Sequence, residues 1–246
     1  MIKVGCCGFP GGMKRYYQEF DLAEVQRTFY KPPRLKTVEK WRNEAPQKFE
    51  FTVKAWQLIT HPPSSPTYRK AGIKIPEGRE GSYGLLRHTP EVLEAWEETR
   101  RICRALRAKV CLIQCPARFK PTDQNVENMR SLLSEIERDG ITIVWEPRGE
   151  AWGDEVVEDL CRELNLTHVV DPFSRDTVFF SGGVAYLRLH GKPPGERMYY
   201  HRYTDSELRW LLVKAEELNA EETYVLFNNV YMREDAERFR RLLREE

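Results

Sequence analysis

Hydrophobic positions along this chain recur with two alternating periods. Runs with apolar residues at every second position predict strands over 2–8, 25–30, 49–55, 110–115, 141–146, 167–171, 184–191 and 223–229. Between most of them, apolar residues recur every three or four positions. This spacing predicts helices over 34–45, 89–108, 122–140, 154–165, 204–219 and 231–246. Thr122 or Asp123 is the expected cap of the third helix, and Gly140 its stop.

Eight β units with intervening helices in 246 residues match the dimensions of a (β/α)8 barrel. An open doubly wound sheet alternates in a similar way. It is disfavoured because the glycines of "GCCGFPGG", after the first strand, do not have the dinucleotide-binding spacing. The expected architecture is therefore α/β, (β/α)8 TIM-barrel-like, in a single domain over 1–246. Two irregularities stand out. Residues 57–88 form a long Pro-, Gly- and Ser-rich loop after the third strand, a candidate lid carrying His61 and Tyr68. The connection 172–183 is too short for a full helix, so the helix between strands six and seven is expected to be irregular or missing.

Alternation also assigns faces. In "VAYLRLHG", Ala185, Leu187 and Leu189 share the side that meets the helices. Tyr186, Arg188 and His190 then point into the barrel, with His190 nearest the C-terminal mouth. Likewise Phe49, Phe51 and Val53 face out, while Thr52 and Lys54 face in. Other strands end on Gln114, Glu146, Asp171 and the pair Asn228–Asn229, where the catalytic groups of such barrels sit. A buried arginine needs an acidic partner, and Glu146 and Asp171 are the candidates for Arg188. An inert ion network filling the barrel is the competing reading of these residues.

Composition narrows the choice. Hydrophobic residues at 41% suffice for a large core, and no apolar run approaches the ~20 residues of a membrane span. The amino terminus shows no signal-peptide pattern, so a cytoplasmic location is expected. The six cysteines lack C-x-x-C pairing and are expected to be reduced, mostly buried thiols. The net charge of +1 argues against a broad nucleic-acid surface.

Several short strings are then informative together. They are Gly5-Cys6-Cys7-Gly8-Phe9, Thr28-Phe29-Tyr30 closing the second strand, Lys54-Ala55, Ile59-Thr60-His61 and Gln114-Cys115-Pro116-Ala117-Arg118-Phe119. Glu146-Pro147-Arg148 with Trp152, Tyr186 to Gly191, and Phe227-Asn228-Asn229 complete the set. In this order they resemble the YecE-like proteins, domain of unknown function 72, over nearly the whole chain. That family's opening is typically Gly-Cys-Ser-Gly-Trp, from which Cys7 and Phe9 depart. The resemblance implies a TIM-barrel-like fold and supplies no reaction.

The residues point to an acid/base enzyme acting on a small, polar, anionic molecule bearing phosphate or carboxylate. Glu146 or Asp171 is the expected base, with His190 as its acid/base partner. Lys54, Arg148 and Arg188 are expected to bind the anion. Gln114, Asn228, Asn229, Tyr30 and His61 are expected to complete the substrate site. No cofactor is expected. One alternative is a metal-dependent hydrolase or isomerase using Glu146, Asp171 and His190, disfavoured because Lys54 and Arg188 would oppose a cation. The other is a non-catalytic binder of a ligand or of single-stranded nucleic acid, with Tyr68, Tyr83, Tyr199 and Tyr200 as stacking surfaces.

Overall fold

The computed structural model describes residues 1–193, 195 and 197–245. Its strands are β1 Ile2–Cys7, β2 Leu22–Val25, β3 Glu50–Lys54, β4 Val110–Gln114, β5 Thr142–Glu146, β6 Leu166–His168, β7 Val184–Leu189 and β8 Glu222–Phe227. All pair in parallel, in the order β6-β5-β4-β3-β2-β1-β8-β7. Beyond the end of short β6, Val170 bridges to Leu187, and the Arg188 N–H donates to the Val170 carbonyl at 2.8 Å. That contact nearly closes the sheet into a TIM-like barrel.

Among the described residues ten helices surround it: α1 Met13–Glu19, α2 Arg27–Tyr30, α3 Leu35–Glu44, α4 Gln57–Thr60, α5 Pro66–Ala71, α6 Pro90–Leu106, α7 Asp123–Glu135, α8 Asp154–Glu163, α9 Asp205–Glu217 and α10 Met232–Glu245. Their starts follow capping chemistry. Thr89 and Thr122 each accept a backbone N–H of the first turn, and Thr204 with Glu207 forms a reciprocal capping box. Among the described residues no helix is long and apolar enough to cross a membrane. All six cysteines are buried free thiols.

Four expectations need correction. The second strand occupies Leu22–Val25, not 25–30, and Arg27–Tyr30 is a helical turn. The Thr28 hydroxyl, bonded to the carbonyls of Val25 at 2.9 Å and Lys54 at 2.7 Å, fastens that turn onto the strand ends. Helix α1, between the first two strands, was not anticipated. Helix α7 stops at Glu135 rather than running to Gly140. Residues past its end dock on α6 instead: the Glu137 carbonyl accepts from Trp96 Nε1 at 2.9 Å, and Arg100 pairs with Glu137 and Asp139.

The segment 57–88 is also more ordered than a bare loop, since it contains α4, α5 and a short 3-10 turn, Glu80–Ser82. Leu58, Ile59, Tyr68 and Leu86 bury themselves in the outer core. Gly84 is required there: its φ is +73°, and a Cβ would stand 2.2 Å from the His61 carbonyl oxygen. Residues 172–183 contain no helix, as expected; the Phe179 carbonyl accepts the His168 N–H at 2.9 Å.

The face assignments hold. Phe49, Phe51, Val53, Leu187 and Leu189 pack in the layer between barrel and helices. Leu22, Leu112, Val144, Tyr186 and Leu226 form a separate cluster inside the barrel. A polar cluster closes the N-terminal end, where Lys3 Nζ donates to Glu50 at 2.6 Å and Glu222 at 2.7 Å.

Candidate functional site

The C-terminal end of the barrel is built around Arg188, whose side chain is fully buried. Its guanidinium grips Glu24 with two prongs, Nε to Oε2 at 3.1 Å and Nη2 to Oε1 at 2.8 Å. Nη1 donates to Glu146 Oε2 at 2.5 Å, and Nη2 reaches Cys7 Sγ at 3.5 Å. The Tyr186 hydroxyl donates to Glu24 Oε2 at 2.7 Å, so its other contact, Thr52 Oγ1 at 2.8 Å, must be a donor to it. Burial alone would lower the Arg188 guanidinium, but Glu146 and Glu24 hold it well above its ordinary value. The acidic partners of Arg188 are therefore Glu24 and Glu146, and not Asp171.

Asp171 has a different task. Its Oδ2 accepts the backbone N–H groups of His190 at 2.7 Å and Gly191 at 3.3 Å, and its Oδ1 accepts that of Phe173 at 3.0 Å. It laces the end of β6 to the end of β7. Burial raises its carboxyl to about 6, against the opposing pull of those amides. Gly191, at φ +100°, turns the chain where a Cβ would meet the Met198 carbonyl oxygen at 2.1 Å.

Glu146 faces three bases. Oε2 holds Arg188, while Oε1 accepts from Arg148 Nε at 2.8 Å and lies 3.3 Å from His190 Nε2. Burial would raise its carboxyl, but Arg188 and Arg148 keep it well below the usual range. His190 Nδ1 is 3.0 Å from Asn228 Nδ2, an amide donor, while Nε2 is 3.3 Å from Glu146 Oε1 and 3.5 Å from Arg148 Nη2, so the nearer partners assign the imidazole proton to Nε2, facing Glu146. Burial lowers the His190 imidazole, and Glu146 offsets only part of that.

Lys54 closes the floor beside this cluster. Its Nζ donates to Gln114 Oε1 at 2.8 Å and lies 4.1 Å from the centre of the Phe29 ring. No ion pair to it is found among the described residues. Burial, and then the charges of Arg188 and Arg148, bring its amine from 10.5 down to about 7. The same influences act on His61, whose Nδ1 is 2.8 Å from the Thr60 hydroxyl. Burial, then Lys54 and Arg148, lower its imidazole to about 3.

Two cavities open above the cluster. The first, about 590 Å³, is lined by Tyr30, Lys54, His61, Gln114, Arg148 and Asn228, with Arg118 and Tyr199 on its rim. The second, about 610 Å³, is lined by Glu146, Arg148, Trp152, His168, Asp171 and His190. Arg148 is common to both, its Nη1 donating to the Tyr199 hydroxyl at 3.1 Å. Burial would lower its guanidinium, yet Glu146 and Tyr199 keep it above its ordinary value.

Most of the candidate residues thus gather at one end of the barrel, but two do not line the cavities. Arg188 is sealed beneath the floor. Asn229 turns away, donating to the His201 carbonyl at 2.8 Å and Asp235 Oδ2 at 2.7 Å. Of the four tyrosines proposed for stacking, Tyr199 alone lines the first cavity. Tyr68 is buried, donating to the His61 carbonyl at 2.9 Å. Trp152 is structural, its indole N–H donating to the Phe119 carbonyl at 2.6 Å. Glu24, Phe29 and Arg118 were not anticipated. Alternation in "LAEV" puts Glu24 on the inward face with Leu22, a signal hidden by starting the strand at residue 25.

Among the described residues, no three His, Cys, Asp or Glu side chains form a group able to hold a metal. Glu146 and Asp171 direct their oxygens at arginines and backbone amides, which leaves little lone-pair capacity for a cation.

Comparison with other proteins adds the fold's relatives. A family model described as "Protein of unknown function DUF72" matches residues 10–246. A solved DUF72 family protein from Thermotoga maritima is 26% identical, with a TM-score of 0.72 and complete coverage of both chains. One from Enterococcus faecalis is 20% identical, with a TM-score of 0.76, covering 99% of this chain and 98% of that one. A D-tagatose 3-epimerase-like protein is 16% identical, with a TM-score of 0.59 and coverage of 99% and 96%. No curated protein matches the chain.

Proposed function

The chain belongs to the DUF72 family, and from that premise we propose that its barrel mouth is the active site of an enzyme for a small anionic substrate. The observation that carries this reading is a charge imbalance. Lys54, Arg118 and Arg148 line the first cavity, and among the described residues no Asp or Glu does. The nearby carboxylates Glu24 and Glu146 are both held by arginines, and Lys54, on the floor of this cavity of about 590 Å³, makes no ion pair among the described residues. A phosphate or carboxylate entering there would meet Arg148 and Arg118 and supply the missing charge.

The reading assigns roles accordingly. Arg148 and Arg118 hold the anion, while Gln114, Asn228 and Tyr30 receive hydroxyl groups. Lys54 exchanges a proton with the substrate, because an amine near 7 both gives and takes protons at neutral pH. His190, oriented by Glu146 and Asn228, serves the second cavity as acid/base partner. Glu146, Asp171 and Arg188 position these groups from beneath. The likeness to a D-tagatose 3-epimerase-like protein is a likeness of fold, and carries no substrate to this chain. A cytoplasmic location is part of the same proposal, consistent with six free thiols.

Calorimetric titration with inorganic phosphate tests the reading. Saturable binding, weakened about tenfold or more by Arg148→Met, is expected, the loss of one charge-assisted contact being ~1.5–3 kcal/mol. Absence of binding by phosphate, sulfate and a panel of phosphorylated and carboxylated metabolites would remove its basis.

A further inference from the structure

We propose that Lys54 captures the carbonyl group of a small anionic aldehyde or ketone as an imine, an inference that rests on the anion-binding reading above. Its basis is the setting of the amine. Lys54 stands at the C-terminal end of β3, with its carbon chain inside the barrel and its Nζ at a cavity wall. One face of the nitrogen meets the Phe29 ring at 4.1 Å, and one N–H is held by Gln114 Oε1 at 2.8 Å. Neither contact consumes the nitrogen lone pair. Gln114 is itself fixed, its Nε2 donating to the Cys115 carbonyl at 3.0 Å, so the amine is held in one orientation.

The surroundings favour a nucleophile. Burial and proximity to other cations both free a lysine lone pair, and Lys54 is buried beside Arg188 and Arg148. A lysine meant only to bind an anion would gain from the charge that this setting suppresses. Arg148, on the same cavity, would hold the anionic substituent and so bring the carbonyl carbon to Nζ. The cavity volume, about 590 Å³, suits a small metabolite.

The step balances without a co-reactant. The Nζ lone pair forms a C–N bond to the carbonyl carbon, and a proton passes from nitrogen to the former carbonyl oxygen, giving a carbinolamine. The C–O bond then breaks. Oxygen leaves as water with a second proton from nitrogen, and the nitrogen lone pair forms the C=N bond.

Borohydride trapping at pH 7 tests the proposal, with glyoxylate and dihydroxyacetone phosphate as carboxylate- and phosphate-bearing probes. Labelled peptides are located by mass spectrometry, and phosphate binding is measured on the same samples by calorimetry. Label at Lys54 at least tenfold above any other lysine is expected, reduced in Arg148→Met and suppressed by excess inorganic phosphate. Folding of Arg148→Met is checked by circular dichroism. Phosphate binding with Lys54 unlabelled would overturn the imine and leave the anion reading standing. Loss of both binding and labelling would overturn both.

Discussion

Replacing Lys54 by methionine should make the protein more stable at neutral pH. Methionine keeps the length and most of the volume of the side chain but cannot ionise. In the folded protein the Lys54 amine falls from 10.5 to about 7. At 1.36 kcal/mol per pH unit, this amounts to about 5 kcal/mol. The unfolded chain keeps its proton up to pH 10.5, whereas the folded one releases it near 7. Between those values the unfolded state binds more protons, so wild-type stability rises with pH. Below pH 7 both states are protonated, and the fold carries the whole cost. Against this, the variant leaves Gln114 Oε1 without its donor, about 1–3 kcal/mol at every pH. The variant should therefore exceed wild type by about 2–4 kcal/mol at pH 6. That margin should shrink and then reverse as the pH approaches 10.5. Urea unfolding of both proteins at closely spaced pH values measures it. A difference independent of pH would refute the reasoning, because it would mean that Lys54 titrates normally in the fold.

Arg188→Ala should cost about 3–5 kcal/mol, because it strands two buried carboxylates. Adding Glu24→Gln should return part of that loss in a double-mutant cycle; an unchanged urea midpoint for the single variant would contradict the buried triad. Asp171→Ala should unlace β6 from β7 by orphaning the amides of Phe173, His190 and Gly191, costing about 3 kcal/mol or more. The His190 and Gly191 amides should then exchange hydrogen faster, and unchanged protection would count against that role.

Much of this architecture is legible in the residue pattern because alternation and helical spacing are local. The inward face of 184–191, with Tyr186 and Arg188 in β7 and His190 just past it, follows from every-second-residue reading alone. The missing helix over 172–183 follows from counting. What was illegible is relational. Periodicity cannot say that Arg188 reaches across the barrel to Glu24, 164 residues away in the chain. Starting the second strand at residue 25 hides Glu24 altogether. Asn228 and Asn229 look equivalent in sequence, yet they lie just past β8, and while Asn228 lines the mouth, Asn229 is drawn away by the His201 carbonyl and Asp235. Lys54 is legible as an inward cation, but that it makes no ion pair among the described residues depends on Glu24 and Glu146 being held by Arg188 and Arg148.

The most direct test is an NMR titration of the Lys54 ε-methylene resonance, identified by its disappearance in Lys54→Met. A midpoint at about 7, driven upward by saturating inorganic phosphate, is the predicted result. A midpoint near 10.5 that phosphate leaves in place would contradict the account.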